Sequence, residues 1–362
     1  MADETLLDKV HDLSDLELAV LLCLVSRQHC LISTPSDFAD DLVQELQLVA
    51  SKTFGLRSVV IVNCTPSTTL EDFAGALLPP RSGSRSVSPF QTRSDSYFSS
   101  NPLAGRFNSH SISPLTAASS HIANVVLARN LDRAPLAVQI QALELLRTHR
   151  IFTRVSVVTA PKQFLFIPVL EAESGGKARV AKHLNDFFSI AHWHDPEDGF
   201  VNLEEADGGD DAETASTGSV VKKGYPADVH HEALISETEI SHLAKLSQQV
   251  QVDIDVTRYQ MNIVSFLRFH RAVAGGVSPA ATQHFSQLIR CLAPIHRLDF
   301  ATPALVALAA RKIYLHRIQV ALPHQERSMQ WGSRLEAVEV MLEDLGAEDI
   351  IEDTLEMVTA PI

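Results

Sequence analysis

Residues Val125 to Pro135 read VVLARNLDRAP, and this stretch decides the fold of the 362-residue chain. A run of small and β-branched apolar residues, Val125 to Ala128, leads into a polar turn. Such a run is typical of a parallel β-strand buried on both faces. The turn begins with Arg129 and Asn130, a cation and a neutral amide, so the strand ends without a carboxylate.

The stretch resembles the second nucleotide motif, Walker B, of the MoxR and magnesium-chelatase branch of the AAA+ ATPases. In that family an Asp-Glu pair followed by Ile-Asn-Arg-Ala-Pro closes the strand. The first acid holds Mg²⁺ or its waters, and the second activates the attacking water. Arg129 and Asn130 stand at these positions here, which removes both roles. Arg133 is retained from the motif, either as a subunit contact or as a surface charge.

The resemblance extends upstream to the phosphate loop. His29 to Ile32 resembles the first strand of the family, and Asp40 to Ala50 resembles the helix after it. A working loop, G-x-x-x-x-G-K-[ST], offers backbone N–H groups and Lys to the phosphates and a hydroxyl to Mg²⁺. The chain instead has TPSDFADD from Thr34 to Asp41, without glycine and with Asp40 and Asp41 at the Lys and hydroxyl positions. Two carboxylates at a helix N-terminus stabilise the helix but repel an anion.

Three downstream segments resemble the remaining ATPase elements, and each lacks the polar or basic residues that the family has at its functional positions. Phe164 to Leu170 (FLFIPVL) resembles the sensor strand without the Thr-Gln-Asn group that ends it. Leu184 to Phe187 resembles Leu-Asp-Arg-Phe, with Asp186 in place of Arg. Gly276 to Ala281 (GVSPAA) resembles Gly-Ala-Ser-Pro-Arg-Ala, with Ala280 in place of the Arg that senses the γ-phosphate.

Two motifs near the end of the resemblance indicate the family branch. Arg297 to Pro303 (RLDFATP) and Tyr314 to Ile318 (YLHRI) resemble Gly-Arg-Asp-Tyr-Val-Thr-Pro and Leu-Arg-His-Arg-Ile. Thr302 suits a helix N-cap and Pro303 the first helical position. The resemblance covers about residues 15–192 and 235–322 and implies an α/β fold, an AAA+ type parallel-sheet domain followed by an α-helical lid domain. Its expected strands include Leu31, Val59 to Val62, Val125 to Leu127, Val155 to Val158 and Phe164 to Ile167.

Composition bounds the class of protein. A chain of 362 residues is long enough for two domains, each with its own core. No stretch approaches the roughly 18 uncharged residues of a membrane span, and a net charge of −14 argues against nucleic-acid binding. The acidic N-terminus lacks a targeting presequence. The four cysteines are Cys23, Cys30, Cys64 and Cys291. They are too widely spaced for a metal knuckle, so we expect no metal. Four thiols in so long a chain suggest a reducing compartment, so we expect the cytosol or nucleus.

Composition shifts divide the chain. We expect a degenerate AAA+ core at 1–80 and 118–194, interrupted by a disordered Ser/Arg-rich insertion at 81–117. A flexible acidic linker at 195–234 follows, then a helical lid at 235–322 and an acidic amphipathic tail at 323–362. Asp12 to Arg27 has helical spacing and predicts a helix before the sheet. In the insertion Ser84, Ser88 and Ser96 each follow an Arg by three residues and are candidate phosphosites. A plain solvated linker is the alternative.

Two acidic regions raise further alternatives. The linker lacks the ligand spacing and turn glycine of a calcium loop, so a metal site there is disfavoured. Four histidines flank or end it and are expected on the surface; they are His192, His194, His230 and His231. After Arg334 no basic residue occurs, and apolar residues recur every three or four positions. This tail predicts amphipathic helices that either pack on the lid or dock on a basic partner.

Three functions follow from the resemblance. The first is a pseudo-ATPase that acts as a scaffold or regulator by binding proteins and needs no cofactor. Its partner would be an AAA+ relative or a second copy of the chain. The second is an active ATP-dependent motor or chelatase subunit that requires ATP and Mg²⁺. The third is a structural subunit of a mixed AAA+ ring. Loss of the phosphate, metal and water contacts favours the first and indicates that the chain is not an enzyme.

Overall fold

A computed structural model describes residues 4–79, 121–153, 156–208 and 233–361. Five strands of the described chain form one sheet in the order β2-β3-β6-β1-β7, and every neighbouring pair in it is parallel. The strands are β1 (His29–Thr34), β2 (Val59–Asn63), β3 (Val125–Arg129), β4 (Arg150–Phe152), β5 (Val157–Thr159), β6 (Leu165–Glu171), β7 (Phe188–Trp193), β8 (Val273–Gly275) and β9 (Gln319–Val320).

Helices cover both faces of the sheet and then form the lid. Those around the sheet are α1 (Glu4–His11), α2 (Asp15–Ser26), α3 (Ala39–Leu48), α4 (Leu70–Ala76), α5 (Leu136–Thr148), α6 (Lys182–Asn185) and α7 (Val201–Gly208). Those of the lid and tail are α8 (Glu237–Gln249), α9 (Ile254–Phe269), α10 (Pro279–Ile295), α11 (Pro303–Tyr314), α12 (Leu335–Leu342) and α13 (Ala347–Met357). The α/β fold with a helical lid is therefore confirmed.

Strand β3 lies inside the sheet, as its VVLA run predicts. Val125 pairs with Val59 on one side and with Leu165 on the other. Its first four residues are buried, because helices cover both faces of the sheet. The turn after it places Asn130 at a φ of 53°, a left-handed conformation that asparagine tolerates better than most residues.

Local signals set the starts of the lid helices. Ser236, Asp253, Ser278 and Thr302 each cap a helix by accepting a hydrogen bond from a first-turn backbone N–H. The predicted cap at Thr302, with Pro303 in the first turn, is confirmed. These caps satisfy N–H groups that have no partner within the helix.

The two domains share a core, which differs from the expectation of a separate core for each. Helix α2 is buried almost all round, because it packs on β1 and β7 on one side and on α8 and α10 on the other. Its residues belong to one continuous cluster with Ile32 and Val169 of the sheet and Phe285 and Tyr314 of the lid. A helix that is apolar on every side must be covered on every side, so the lid completes the core of the sheet domain.

One predicted strand is misplaced and one was missed. Val155 to Val158 was expected in the parallel sheet, but the described residues there form β5, which pairs antiparallel with β4. Ile151 and Val158 are buried while Phe152 and Val157 are exposed, the alternation of a hairpin with one covered face. The missed strand is β7, an outer strand of the sheet that pairs with β1.

The acidic linker is ordered at its start, where a flexible segment was expected. Residues 201–208 form α7, which packs on α3. The buried Glu45 carboxylate accepts hydrogen bonds from the backbone N–H groups of Asn202 and Leu203 at 3.1 and 2.9 Å. A carboxylate at the N-terminus of a helix stabilises it by completing these bonds, so polar contacts replace the apolar burial that the segment lacks.

The acidic tail packs mainly on its own lid. Ile350 and Ile351 of α13 are buried against α9 and α11, and Glu352 forms two hydrogen bonds with Arg311. Helix α12 is more open, since Val338 is its buried residue while Val340 is 71% exposed. The self-packing alternative therefore holds for α13.

Several predictions fall outside the described residues. These are the disorder of the insertion 81–117, the phosphosites Ser84, Ser88 and Ser96, and the positions of His230 and His231. Within the described ranges, none of the helices combines the length and apolar character of a membrane span.

Candidate functional site

The carboxyl ends of β1, β3 and β6 bring together the residues that resemble the nucleotide motifs. A short connection, Pro35 to Phe38, leads from β1 into α3 and contains one 3₁₀ turn. Thr34 ends β1 and is buried, with its hydroxyl donating to the His194 carbonyl oxygen at 3.2 Å. This residue therefore ties β1 to the segment after β7.

Asp40 and Asp41 lie in the first turn of α3. The guanidinium of Arg129, at the end of β3, forms an ion pair with the Asp40 carboxylate. Both side chains reach solvent, with 26% of Arg129 and 70% of Asp40 exposed. Relative to the family motifs the signs of charge are exchanged, because an acid stands at the Lys position and a base at the first acid position.

Glu171 completes this edge of the sheet. It ends β6, and its carboxylate accepts from the Asn130 amide at 3.0 Å and from the Arg133 guanidinium at 2.6 Å. Arg133 is thus paired within the chain and remains 52% exposed. Glu171 was not among the predicted residues, although it is the first polar residue after the FLFIPVL run and so could have been found.

Asp186 and Ala280 lie elsewhere, at the junction of the sheet domain and the lid. Asp186 follows α6, and its carboxylate accepts the Ser278 hydroxyl at 2.6 Å. It also lies 3.3 Å from the Arg317 guanidinium. Ala280 is in the first turn of α10, which Ser278 caps. The seven predicted positions therefore divide into a group at the sheet edge and a group at this junction.

Arg317 fastens the lid to the sheet domain. Its buried guanidinium donates to the carbonyl oxygens of Phe188 at 2.5 Å and Asp186 at 3.1 Å, besides facing the Asp186 carboxylate. Burial lowers its pKa to about 10, and the Asp186 charge opposes that shift. The adjacent His316 is fully buried and contacts the Phe188 carbonyl oxygen through Nε2 at 2.9 Å. The YLHRI motif is thus a structural junction, a role that spacing alone did not reveal.

His192 and His194 are buried, which corrects the expectation of surface histidines. Both rings lie in or just after β7, with centroids 6.3 Å apart. Burial lowers the pKa of His192 to about 4 and also lowers that of His194. In the described part of the chain, no group of three or more His, Cys, Asp or Glu is placed to hold a metal ion.

Comparison with known proteins agrees with this architecture. Residues 265–337 match the family model of the AAA lid domain. No curated protein matches the chain in a sequence search.

Two of the solved structures that resemble the chain illustrate the likeness. The crystal structure of an ATPase candidate from Cytophaga hutchinsonii aligns with a TM-score of 0.64 and 14% identity, covering 99% of this chain and 94% of that one. A full-length MCM homolog from Methanopyrus kandleri aligns with a TM-score of 0.42 and 11% identity, covering 87% of this chain and 59% of that one. The chain has an AAA+ type fold with an AAA lid domain. At 14% identity the likeness concerns the fold alone.

Proposed function

We propose that this chain is an AAA+-shaped protein that neither binds magnesium ATP at the sheet edge nor hydrolyses it, and that acts through protein contacts. The observation that carries the proposal is the ion pair of Asp40 with Arg129. It occupies the two positions at which the family motifs place a phosphate-binding Lys and a magnesium-binding acid, with the charges exchanged.

Electrostatics disfavour a nucleotide at this edge. Phosphates that approached the first turn of α3 would meet the carboxylates of Asp40 and Asp41, and like charges repel. Mg²⁺ prefers oxygen ligands, but the end of β3 offers Arg129. Asn130 cannot serve as a base, because a carboxamide does not take up a proton near neutral pH.

Calorimetry with ATP, in the presence and absence of Mg²⁺, tests the nucleotide half of the proposal. We expect no magnesium-dependent binding and no phosphate release. A matched variant, Asp40→Lys combined with Arg129→Asp, keeps the ion pair and restores the family order of charges. Magnesium-dependent binding by the unaltered chain at micromolar ATP would refute the proposal, whether or not turnover follows.

We propose that a protein partner binds at the exposed segment that joins the lid to the tail. Trp331 is 87% exposed, and Leu335 and Val340 on the adjoining α12 are also exposed. The three residues belong to one short segment, and exposed large apolar residues are a feature of interaction sites. Because α13 packs on the lid, this segment, 331–340, is a better candidate than the whole acidic tail.

Sedimentation velocity tests a second copy of the chain as the partner. We expect concentration-dependent association that is weakened in Trp331→Ser with Val340→Ser and retained in Met357→Ser, a control at another exposed apolar residue. A monomer at every concentration would leave an AAA+ relative as the partner to assay. Equal association in all three proteins would show that segment 331–340 is not the contact surface.

A further inference from the structure

A cavity of about 530 Å³ lies at the junction of the sheet domain and the lid. The loop before α6, the β8 strand, the start of α10 and the segment after α11 form its wall. Its charged lining residues are Arg179, Lys182, Arg268, Arg317, Arg327 and one acid, Asp186. This cavity is therefore basic, although the whole chain carries a net charge of −14.

Most of this positive charge is not neutralised by the described residues. Arg179 donates to two backbone carbonyl oxygens, at 3.3 and 2.5 Å. Arg268 donates to the Val277 carbonyl oxygen at 3.3 Å, and Arg327 to that of Arg268 at 2.9 Å. Among the residues that the structure describes, none of these three guanidinium groups contacts a carboxylate. The carbonyls orient the groups, and each retains further N–H donors for a ligand.

Two residues that line the cavity, Asn185 and His316, each hold a buried acceptor atom that has no hydrogen-bond partner among the described residues. Asn185 donates its amide nitrogen to the His316 carbonyl oxygen at 2.9 Å, so its Oδ1 is the free atom. The His316 Nε2 must donate to the Phe188 carbonyl oxygen, which can only accept. Burial, aided by the neighbouring Arg317, lowers the pKa of His316 well below its usual value, so Nδ1 of the neutral ring is an unpaired acceptor. Buried acceptors require donors.

We propose that this cavity binds a phosphate ester whose remaining groups supply hydroxyl or amide donors. A phosphate concentrates up to two charges and three acceptor oxygens in one small group, and guanidinium groups match it through paired hydrogen bonds. The volume suits a small ligand or a single side chain, since such pockets measure about 300–1,000 Å³. None of the unpaired arginines stands at a position that resembles a nucleotide motif, so the site is separate from the sheet edge.

Titration calorimetry of the full chain with ribose 5-phosphate tests the proposal. We expect binding that weakens at least about tenfold in Arg268→Gln with Arg327→Gln, because two charge-assisted contacts are lost. Lys182→Gln should weaken it less, because one charged group is lost instead of two. Arg258→Gln is the matched control, because Arg258 is an exposed arginine on α9 that pairs with Asp255 and does not line the cavity. Absence of binding, or equal affinity in the double variant and the control, would overturn the proposal.

Four further probes show which kind of ligand the cavity prefers. Ribose 5-phosphate should bind more tightly than inorganic phosphate if Asn185 and His316 accept donors from the ligand. A phosphoserine peptide that binds more tightly than the sugar phosphate would identify a phosphoprotein as the source and still support the site. A tetra-aspartate peptide that binds more tightly than either would overturn the proposal in favour of an acidic protein segment. ATP binding that is independent of Mg²⁺ and lost in the double variant would belong to this cavity and leave the proposed function intact.

Discussion

The sheet edge and the domain junction each hold an aspartate where the family motifs have a basic residue, yet the two differ in burial. Asp40 pairs with Arg129 at the surface, and its side chain is 70% exposed. Asp186 pairs with Arg317, and these side chains are 29% and 1% exposed, against 70% and 26% for Asp40 and Arg129. An exposed pair contributes about 0–1 kcal/mol, whereas removing one partner of a buried pair costs about 3–5 kcal/mol. The same change of residue type therefore alters the surface chemistry at one place and the stability of the fold at the other.

The largest expected effect comes from breaking the buried junction. Arg317→Ala leaves the Asp186 carboxylate without its ion pair and the Phe188 carbonyl oxygen without its guanidinium donor. We expect the free energy of unfolding to fall by about 3–5 kcal/mol in urea denaturation. Arg311→Ala, in α11 shortly before Arg317, removes an exposed pair with Glu352 and should cost about 0–1 kcal/mol. Equal losses in the two variants would contradict the assigned difference between buried and exposed pairs.

Gly276 offers a second test of this comparison, because it follows β8 and lies against the backbone of the junction. Its φ is +107°, and a Cβ atom there would lie 1.9 Å from the Arg317 carbonyl oxygen. Gly276→Ala should therefore destabilise the chain by about 2–4 kcal/mol, from backbone strain and displacement of that carbonyl. Thermal and urea unfolding measure the loss.

Gly75 supplies the control for this substitution. It lies inside α4, and a Cβ there would meet nothing within 4 Å. Gly75→Ala should stabilise the chain by about 0.5–1 kcal/mol, because alanine loses less conformational freedom in a helix. If both substitutions had the same sign, contact at the junction would not be the cause.

Sequence reasoning identified the sheet and the lid because their signals are local. The VVLA run before Arg129 and the cap at Thr302 depend on residues close in the chain, and both have the predicted structure. The contacts of Arg317 were not predictable in this way, because Asp186 lies far away in the chain and meets it only after the lid has packed. The same reason explains why buried His192 was expected on the surface, since the cover over β7 comes from distant segments.

The order of α7 shows a further limit of composition. Its acidic sequence gave no apolar stripe, so a flexible linker was expected. The ordering contacts come from Glu45, a buried carboxylate on α3, to the backbone of Asn202 and Leu203. All residues except proline have a backbone N–H donor, so the sequence of α7 could not reveal that Glu45 would accept hydrogen bonds from it.

A smaller effect concerns pH at the junction. Burial lowers the pKa of His284 to about 4, and the Arg317 guanidinium beside it acts in the same direction. Its ring accepts from Arg317 at 2.8 Å. Below the ordinary pKa of 6.5 the unfolded chain takes up a proton that the native ring refuses, so stability falls as pH drops from about 6.5 to about 4. Each such proton contributes at most about 1.4 kcal/mol per pH unit.

His284→Gln isolates this contribution, because glutamine can still accept from Arg317 but does not titrate. We expect a shallower fall of unfolding free energy between pH 6.5 and about 4 than in the unaltered chain. Part of the slope should remain, since burial also lowers the pKa of His29 to about 3 and that of His192 to about 4. An unchanged slope would mean that His284 is protonated in the native chain over this range.

The smallest expected effect lies at the sheet edge. A double-mutant cycle of Asp40→Asn and Arg129→Gln should give a coupling of about 0.2–1 kcal/mol, because water screens a pair in which most of the Asp40 side chain is exposed. The coupling should shrink further in concentrated salt, where the Debye length falls to about 3 Å. Urea unfolding at low and high salt measures both quantities. A coupling above about 2 kcal/mol would mean that this pair stabilises the fold as strongly as the buried pair at the junction does. The exchanged charges would then be explained by folding, and their part in excluding nucleotide would have to be shown by the binding experiment alone.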